Sequence, residues 1–328
     1  MSDALVSPPV FVATGAVSLA LLGVAAWKVK HAKNDRREAD GDSERIVPLM
    51  GVMGAFVFAA QMINFSIPGT GSSGHLVGGI LLSAILGPWA ALITLASVLV
   101  IQCLAFADGG FMALGANILN MAVFSCLVAY PLIFKPLMKP DASPGRILAA
   151  SVLASVAGLE LGGLAVTVET EASGITALPM GQFLLFMLPI HLFIGIGEGL
   201  ATAAVIYVVQ RYKPELLSGV RRRKPAGKRK FGKALAAIAL AALLIGGSFS
   251  WVASSDPDGL AWSIATVAGP AGPDADPDGL HRTAAAVQEK TAVMPDYNTS
   301  FAGIVGCGAI LLVVFGASRL FRAGQKQG

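Results

Sequence analysis

Few side chains in this sequence can do chemistry, and most of those lie inside apolar runs. His75 stands near the end of the stretch Phe65-Ser66-Ile67-Pro68-Gly69-Thr70-Gly71-Ser72-Ser73-Gly74-His75-Leu76-Val77-Gly78. Four glycines and a proline exclude an ordinary helix there and let the backbone approach a ligand closely. Apolar runs flank the stretch, which puts it at or near a membrane surface. Irregular backbone at that depth persists only when it is buried in protein or lines a wet cavity. An ionisable group beside it marks a functional site by default. A flexible turn with an imidazole at the headgroup level fits the local residues equally well. His191 and Glu198 are seven apart and share a helix face. With Glu160 they either line an ion path or make polar links to other helices or to a partner. The link is favoured, because nothing else in the chain completes a relay across a membrane. Asn117 and Asn120, three apart, are placed to brace the His75 stretch by hydrogen bonds.

Two phosphate-binding patterns occur and both fail their context. Gly69-Thr70-Gly71-Ser72-Ser73-Gly74 spells G-x-G-x-x-G but opens no βαβ unit. Gly227-Lys228-Arg229-Lys230-Phe231-Gly232-Lys233 fits the first seven places of a P-loop. Ala234 follows where the magnesium ligand Ser or Thr belongs, and no strand precedes it. The chain is therefore expected to hydrolyse no ATP by itself. No nucleophile–base pair is evident. Cys103, Cys126 and Cys307 form no C-x-x-C pair and read as small core residues.

The elements that must position these residues are helices in a bilayer. Hydrophobic residues make up 55% of the chain and charged residues 13%, with a mean hydropathy of +0.69. Soluble domains carry about 25% charged residues. The expected fold is all-α and polytopic. Met1–Pro8 has no Lys or Arg, so no cleaved signal is expected. Spans are expected at Pro9–Trp27, Ile46–Phe65, Leu76–Gly87, Ala90–Ala107, Phe111–Phe134, Ile147–Val168, Met180–Val209, Ala234–Trp251 and Phe301–Ser318. Leu76–Gly87 is short at 12 residues, and Gly87-Pro88-Trp89 breaks it from the next span. Loop charge decides whether that pair crosses twice, because short cytoplasmic loops collect Lys and Arg. Two crossings place 22 Lys/Arg inside and 2 outside; one crossing gives 8 and 16. Nine crossings follow, with the N-terminus and the His75 stretch on the outer face and the C-terminus in the cytoplasm.

A change of composition divides the chain. Residues 1–212 form a seven-crossing helical bundle. Residues 213–233 are a basic linker holding Arg221-Arg222-Arg223-Lys224, whose charge anchors topology. The flanking spans argue against nucleic-acid binding. Residues 234–328 form a two-helix hairpin with a polar outer loop, 252–300. That loop carries Asp256-Pro257-Asp258-Gly259-Leu260 and again Asp276-Pro277-Asp278-Gly279-Leu280. Its seven acids against two bases can gather cations, but Pro-Asp-Gly as turn chemistry is the simpler reading.

Five separated motifs resemble one family. Ile67-Pro68-Gly69-Thr70-Gly71-Ser72-Ser73-Gly74-His75-Leu76, Leu86-Gly87-Pro88-Trp89-Ala90, Ala107-Asp108-Gly109-Gly110, Leu114-Gly115-Ala116-Asn117-Ile118-Leu119-Asn120-Met121 and Gly195-Ile196-Gly197-Glu198-Gly199 look like the CbiM/NikM proteins. These are substrate-binding membrane subunits of energy-coupling-factor transporters for cobalt and nickel. The resemblance covers about Asp3 to Tyr212. The tail is similar to the PDGLE, or NikN-like, component, although Ala261 and His281 occupy the places of its usual Glu.

The resemblance implies a subunit that takes Ni²⁺ or Co²⁺ from the outer face and needs no organic cofactor. A transmembrane coupling (T) subunit and two ATPase subunits are the implied partners, in a bacterial-type cytoplasmic membrane. It also implies a planar nitrogen set for the metal: a terminal amine, a deprotonated backbone amide and two imidazoles, one of them His75. Such a set suits these ions. Met1 and Ser2 stand where the family has its N-terminal ligands, but the family begins Met-His, and no histidine precedes the match here. Either translation starts two codons upstream, the favoured reading, or the site does without that imidazole. Two rivals remain: an S-component for a small organic vitamin, and a membrane enzyme using His191 and Glu198. The topology is tested by labelling Gly41→Cys and Thr283→Cys with an impermeant thiol reagent. Opposite faces are expected, Gly41 inside and Thr283 outside; the same face for both would refute two crossings over Leu76–Ala107.

Overall fold

A chain out of water must satisfy its backbone N–H and C=O groups within itself, which makes helix the default for apolar runs. The computed structural model describes residues 1–37, 46–139, 141–176, 178–218, 228–248, 254–269, 279–295 and 302–323. The basic run Arg221–Lys224 and Asp276-Pro277-Asp278 lie outside the described residues. The first helices are α1 (Pro8–Arg37) and α2 (Ile46–Gln61). Strands β1 (Phe65–Ile67) and β2 (Ser72–Gly74) follow, then α3 (Gly79–Leu86) and α4 (Pro88–Phe106). Next come α5 (Leu114–Leu137), α6 (Pro144–Ser173) and α7 (Met180–Tyr212). The tail forms α8 (Lys228–Ser248), α9 (Gly259–Ala268), α10 (Gly279–Thr291) and α11 (Ala302–Ala323). Pro88 and Pro144 open their helices, where a missing N–H costs nothing. The Ile118–Phe134 part of α5 is wound with the wider π pitch.

Among the described residues five helices are long and apolar enough to cross a membrane: α1, α4, α5, α6 and α7. That is fewer than the nine crossings expected. Leu19, Leu132, Leu153 and Leu185 are well exposed on four of these helices, as lipid-facing side chains are. Helix α3 differs from the expected span over Leu76–Gly87. It has eight residues, all buried, and so rises about 12 Å, well short of a bilayer's ~30 Å core.

Residues 75–78, just before α3, are irregular chain, and that segment has a dedicated partner on α7. The Glu198 carboxyl oxygens accept from the backbone N–H of Val77 at 2.9 Å and of Gly78 at 3.1 Å. Gln61 donates to the Val77 carbonyl at 2.9 Å, and Gln102 donates to Gln61 Oε1 at 2.9 Å. Glu198 is 1% exposed. Gly78 has φ +80°, and a Cβ there would come within 2.7 Å of Val57. These three facts explain why helix begins at Gly79 and not at Leu76.

The glycine-rich stretch is also more regular than expected. Its ends pair as an antiparallel hairpin, Phe65 with Gly74, Ser66 with Ser73 and Ile67 with Ser72. The turn between them uses positive φ at Gly69 and Gly71. The tail packs against the bundle: Cys307 on α11 donates to the Ala55 carbonyl on α2 at 3.3 Å. All three cysteines are free and buried.

Replacing Glu198 by Gln keeps one acceptor and turns an N–H₂ toward a backbone donor. We expect Glu198→Gln to lower stability by about 2 kcal/mol, read as a lower melting temperature in detergent without metal. An unchanged melting temperature would show that the carboxylate does not hold Val77 and Gly78 in place.

Candidate metal centre

The N-terminal segment is folded into the bundle. The Met1 amine donates to Asn117 Oδ1 at 2.9 Å, and Asn117 Nδ2 donates back to the Met1 carbonyl at 3.2 Å. Gly110 N–H donates to the same carbonyl at 3.0 Å. Asp3 Oδ1 accepts from Ala113 N–H at 3.0 Å. Leu5 is 1% exposed and packs with Val166, Leu178, Phe183 and Met187 at the ends of α6 and α7. The Ala107–Asn120 region thus grips the first three residues through Asn117 and the turn before it.

A cavity of about 120 Å³ opens beside this segment. Met1, His75, Asn117, Asn120, His191 and Asp258 all line it. At about 30 Å³ per water it has room for an ion with a few waters. His75 and His191, far apart in sequence, therefore face one space. His191 Nδ1 lies 2.7 Å from the Met187 carbonyl, and His75 Nδ1 lies 3.3 Å from the Leu76 carbonyl. A carbonyl only accepts, so a hydrogen-bonded Nδ1 carries the proton and Nε2 keeps its lone pair. Asn120 Nδ2 donates to Glu169 Oε2 at 2.7 Å, while its Oδ1 is buried with no partner. Among the described residues no three His, Cys, Asp or Glu side chains group to hold a metal ion. A metal in this cavity would need backbone or amine nitrogen as well as imidazole.

The candidates from sequence separate cleanly. His75, Met1, Asn117, Asn120 and His191 line the cavity, and Ser2 is exposed and does not. Glu198 is engaged with the backbone that follows His75. It supports the loop and makes no bond to His191 among those described.

The tail supplies what sequence reasoning passed over. Asp256-Pro257-Asp258 runs parallel to β2: Ser73 N–H donates to the Pro257 carbonyl at 2.8 Å, and Ser73 Oγ to the Asp256 carbonyl at 2.8 Å. Asp258 then caps α9 by accepting from Ala261 N–H at 2.7 Å. Gly259 packs against Ile190 and Ile194 of α7, where a Cβ would approach Ile194 to 2.9 Å. Two side chains of α10, after the second Asp-Pro-Asp-Gly-Leu, grip the other wall. His281 Nε2 lies 2.9 Å from the Val6 carbonyl and 3.2 Å from that of Asp3, and Gln288 donates to the Gly109 carbonyl at 2.7 Å. The repeated Pro-Asp-Gly-Leu was visible in the sequence, but a turn signal does not say what the turn docks on.

The comparisons with known proteins fit this geometry. The family model for a cobalt uptake substrate-specific transmembrane region, CbiM, matches residues 1–216. The chain belongs to the CbiM family. A PDGLE domain matches residues 232–323, which makes it a CbiM/NikM-type chain fused to a NikN-like C-terminal component. It is 32% identical over 314 residues to the fused nickel transport protein NikMN of Rhodobacter capsulatus, covering 90% of this chain and 88% of that one. It is 30% identical over 185 residues to the cobalt transport protein CbiM of Desulforamulus reducens, covering 56% and 72%. The crystal structure of a truncated transition metal transporter superposes with a TM-score of 0.53 at 30% identity, covering 65% of this chain and 98% of that chain.

If His281 anchors the N-terminal segment of this CbiM-family chain, His281→Ala should free it. Amide exchange at Leu5 and Val6 is expected to speed by about fivefold, the loss of about 1 kcal/mol. Exchange within α6 should not change. Equal protection of Leu5 and Val6 in parent and variant would refute the anchoring role.

Proposed function

We propose that this chain is the substrate-binding subunit of an energy-coupling-factor transporter for Ni²⁺ or Co²⁺. The observation that carries the reading is the cavity that Met1, His75 and His191 all line, in a chain of the CbiM family. His75 is the first ligand. Imidazole with amine and backbone nitrogen is the donor type these ions prefer. The chain crosses the membrane nine times, seven in the N-terminal bundle and two in the tail hairpin. Its N-terminus and cavity lie on the outer face, as the 22-to-2 division of Lys and Arg supports. Metal enters the cavity from outside and passes inward when a T subunit and two ATPase subunits act on the bundle. The hydrogen-bonded loop of His75–Gly78 is the segment whose release by Glu198 would let the metal leave. A vitamin would need an apolar or aromatic pocket of greater size, and a hydrolase would need His191 and Glu198 bonded as a pair. Neither arrangement supports the rival readings.

The test is metal-dependent thermal stabilisation of the full chain. His75→Ala should abolish the rise in melting temperature that Ni²⁺ or Co²⁺ gives the parent, while membrane expression stays intact. Protons compete with metal for the ligand nitrogens, so stabilisation of the parent should weaken as pH falls. Equal stabilisation of parent and variant would remove His75 from the site.

A further inference from the structure

The cavity has a wall that the N-terminal bundle does not provide. Asp258 belongs to the C-terminal component, and Asp258, Gly259 and Leu260 close one side of the space that His75 and His191 line. Asp258 is held there from both sides. Ser73 N–H pairs with the Pro257 carbonyl, and Gly259 seats on Ile190 and Ile194, one helical turn from His191. One carboxylate oxygen, Oδ1, caps α9, and the second has no hydrogen bond among the described residues. Asp258, His75 and Met1 line the same cavity as His191. A second, independent observation points to a ligand: Asn120, 4% exposed in the cavity wall, keeps Oδ1 buried with no partner. A buried carbonyl-type oxygen left so calls for a hydrogen-bond donor, such as a water, or for a cation.

We propose that Asp258 and His191 form a capture pair for a divalent transition-metal ion, so that the C-terminal component contributes a ligand to the cavity it covers. The carboxylate draws the hydrated ion to the mouth, and His191 Nε2 is the first nitrogen it meets before His75. Asn120 Oδ1 accepts a hydrogen from the ion's water. The first Asp-Pro-Asp-Gly-Leu then brings charge to the site, while His281 and Gln288 of α10 hold the N-terminal wall. This inference rests on the reading of the cavity as the metal site.

The test uses the full-length chain, stripped by chelator and titrated with Ni²⁺ alone. Asp258→Asn is the informative variant, because Asn caps a helix as well as Asp does. The start of α9 is kept and the charge is lost. Affinity and association rate for Ni²⁺ should each fall by about tenfold or more, with the metal-free melting temperature unchanged. His191→Gln should weaken binding as much, and the double variant should lose less than the product of the two, since both serve one ion. Asp258→Asn binding Ni²⁺ like the parent, or losing affinity only along with metal-free stability, overturns the capture pair. His75→Ala separates the two failures. If it loses Ni²⁺ while Asp258→Asn keeps it, the metal site stands and the capture pair falls. If the parent binds no Ni²⁺, or His75→Ala binds as the parent does, the metal site itself is lost.

Discussion

The bond from Glu198 to the backbone of Val77 and Gly78 is the constraint on which the site depends. Two backbone N–H groups on irregular chain, deep in an apolar bundle, have no helical partner, and each would cost several kcal/mol if left bare. One carboxylate from α7 satisfies both. Gln61 takes the Val77 carbonyl, and Gln102 completes Gln61. With these bonds the chain can stay out of helix where His75 lines the cavity. Without them the apolar sequence from Leu76 onward would continue as helix and carry the imidazole elsewhere.

The same logic joins three parts of the molecule that are distant in sequence. Residue Asn117 holds the amino terminus, and Glu198 holds the segment that follows His75. The tail is tied to the walls from the other side, the first Asp-Pro-Asp-Gly-Leu through Ser73 and Ile194 and α10 through His281 and Gln288. None of these contacts is a large apolar surface. They are single hydrogen bonds and close approaches at glycine, which fix position at small cost in area. A fused tail that makes such contacts holds the cavity in one shape, and this gives a physical reason for joining a NikN-like component to a CbiM-type bundle in one chain.

Much of the arrangement was legible in the residues. The apolar runs, the break at Gly87-Pro88-Trp89 and the isolation of His75 after a glycine-rich stretch all follow from composition and from backbone conformational rules. The helix face shared by His191 and Glu198 was legible too, but not its use. Seven residues apart, one side chain faces the cavity and the other the backbone of another segment, and only tertiary contacts separate these. The hairpin of Phe65–Gly74 was missed because glycine and serine carry no strand propensity, and its pairing depends on the bonds to Ser73 from the tail. The start of α3 at Gly79 was not legible, because hydropathy sees one apolar run from Leu76 and not the left-handed Gly78 or the carboxylate of Glu198 that binds the backbone before it. Asp258 carried a turn signature, and a turn signature is silent about burial against another element.

The central claim is that a metal sits between His75 and the amino terminus. Its most direct test is a structure of the full-length chain soaked in Ni²⁺, with the ion located by anomalous scattering at the nickel edge. The account predicts one strong peak inside the cavity lined by Met1, His75 and His191, within bonding distance of a His75 ring nitrogen. A peak elsewhere with the cavity empty, or none in crystals grown with excess Ni²⁺, would contradict it.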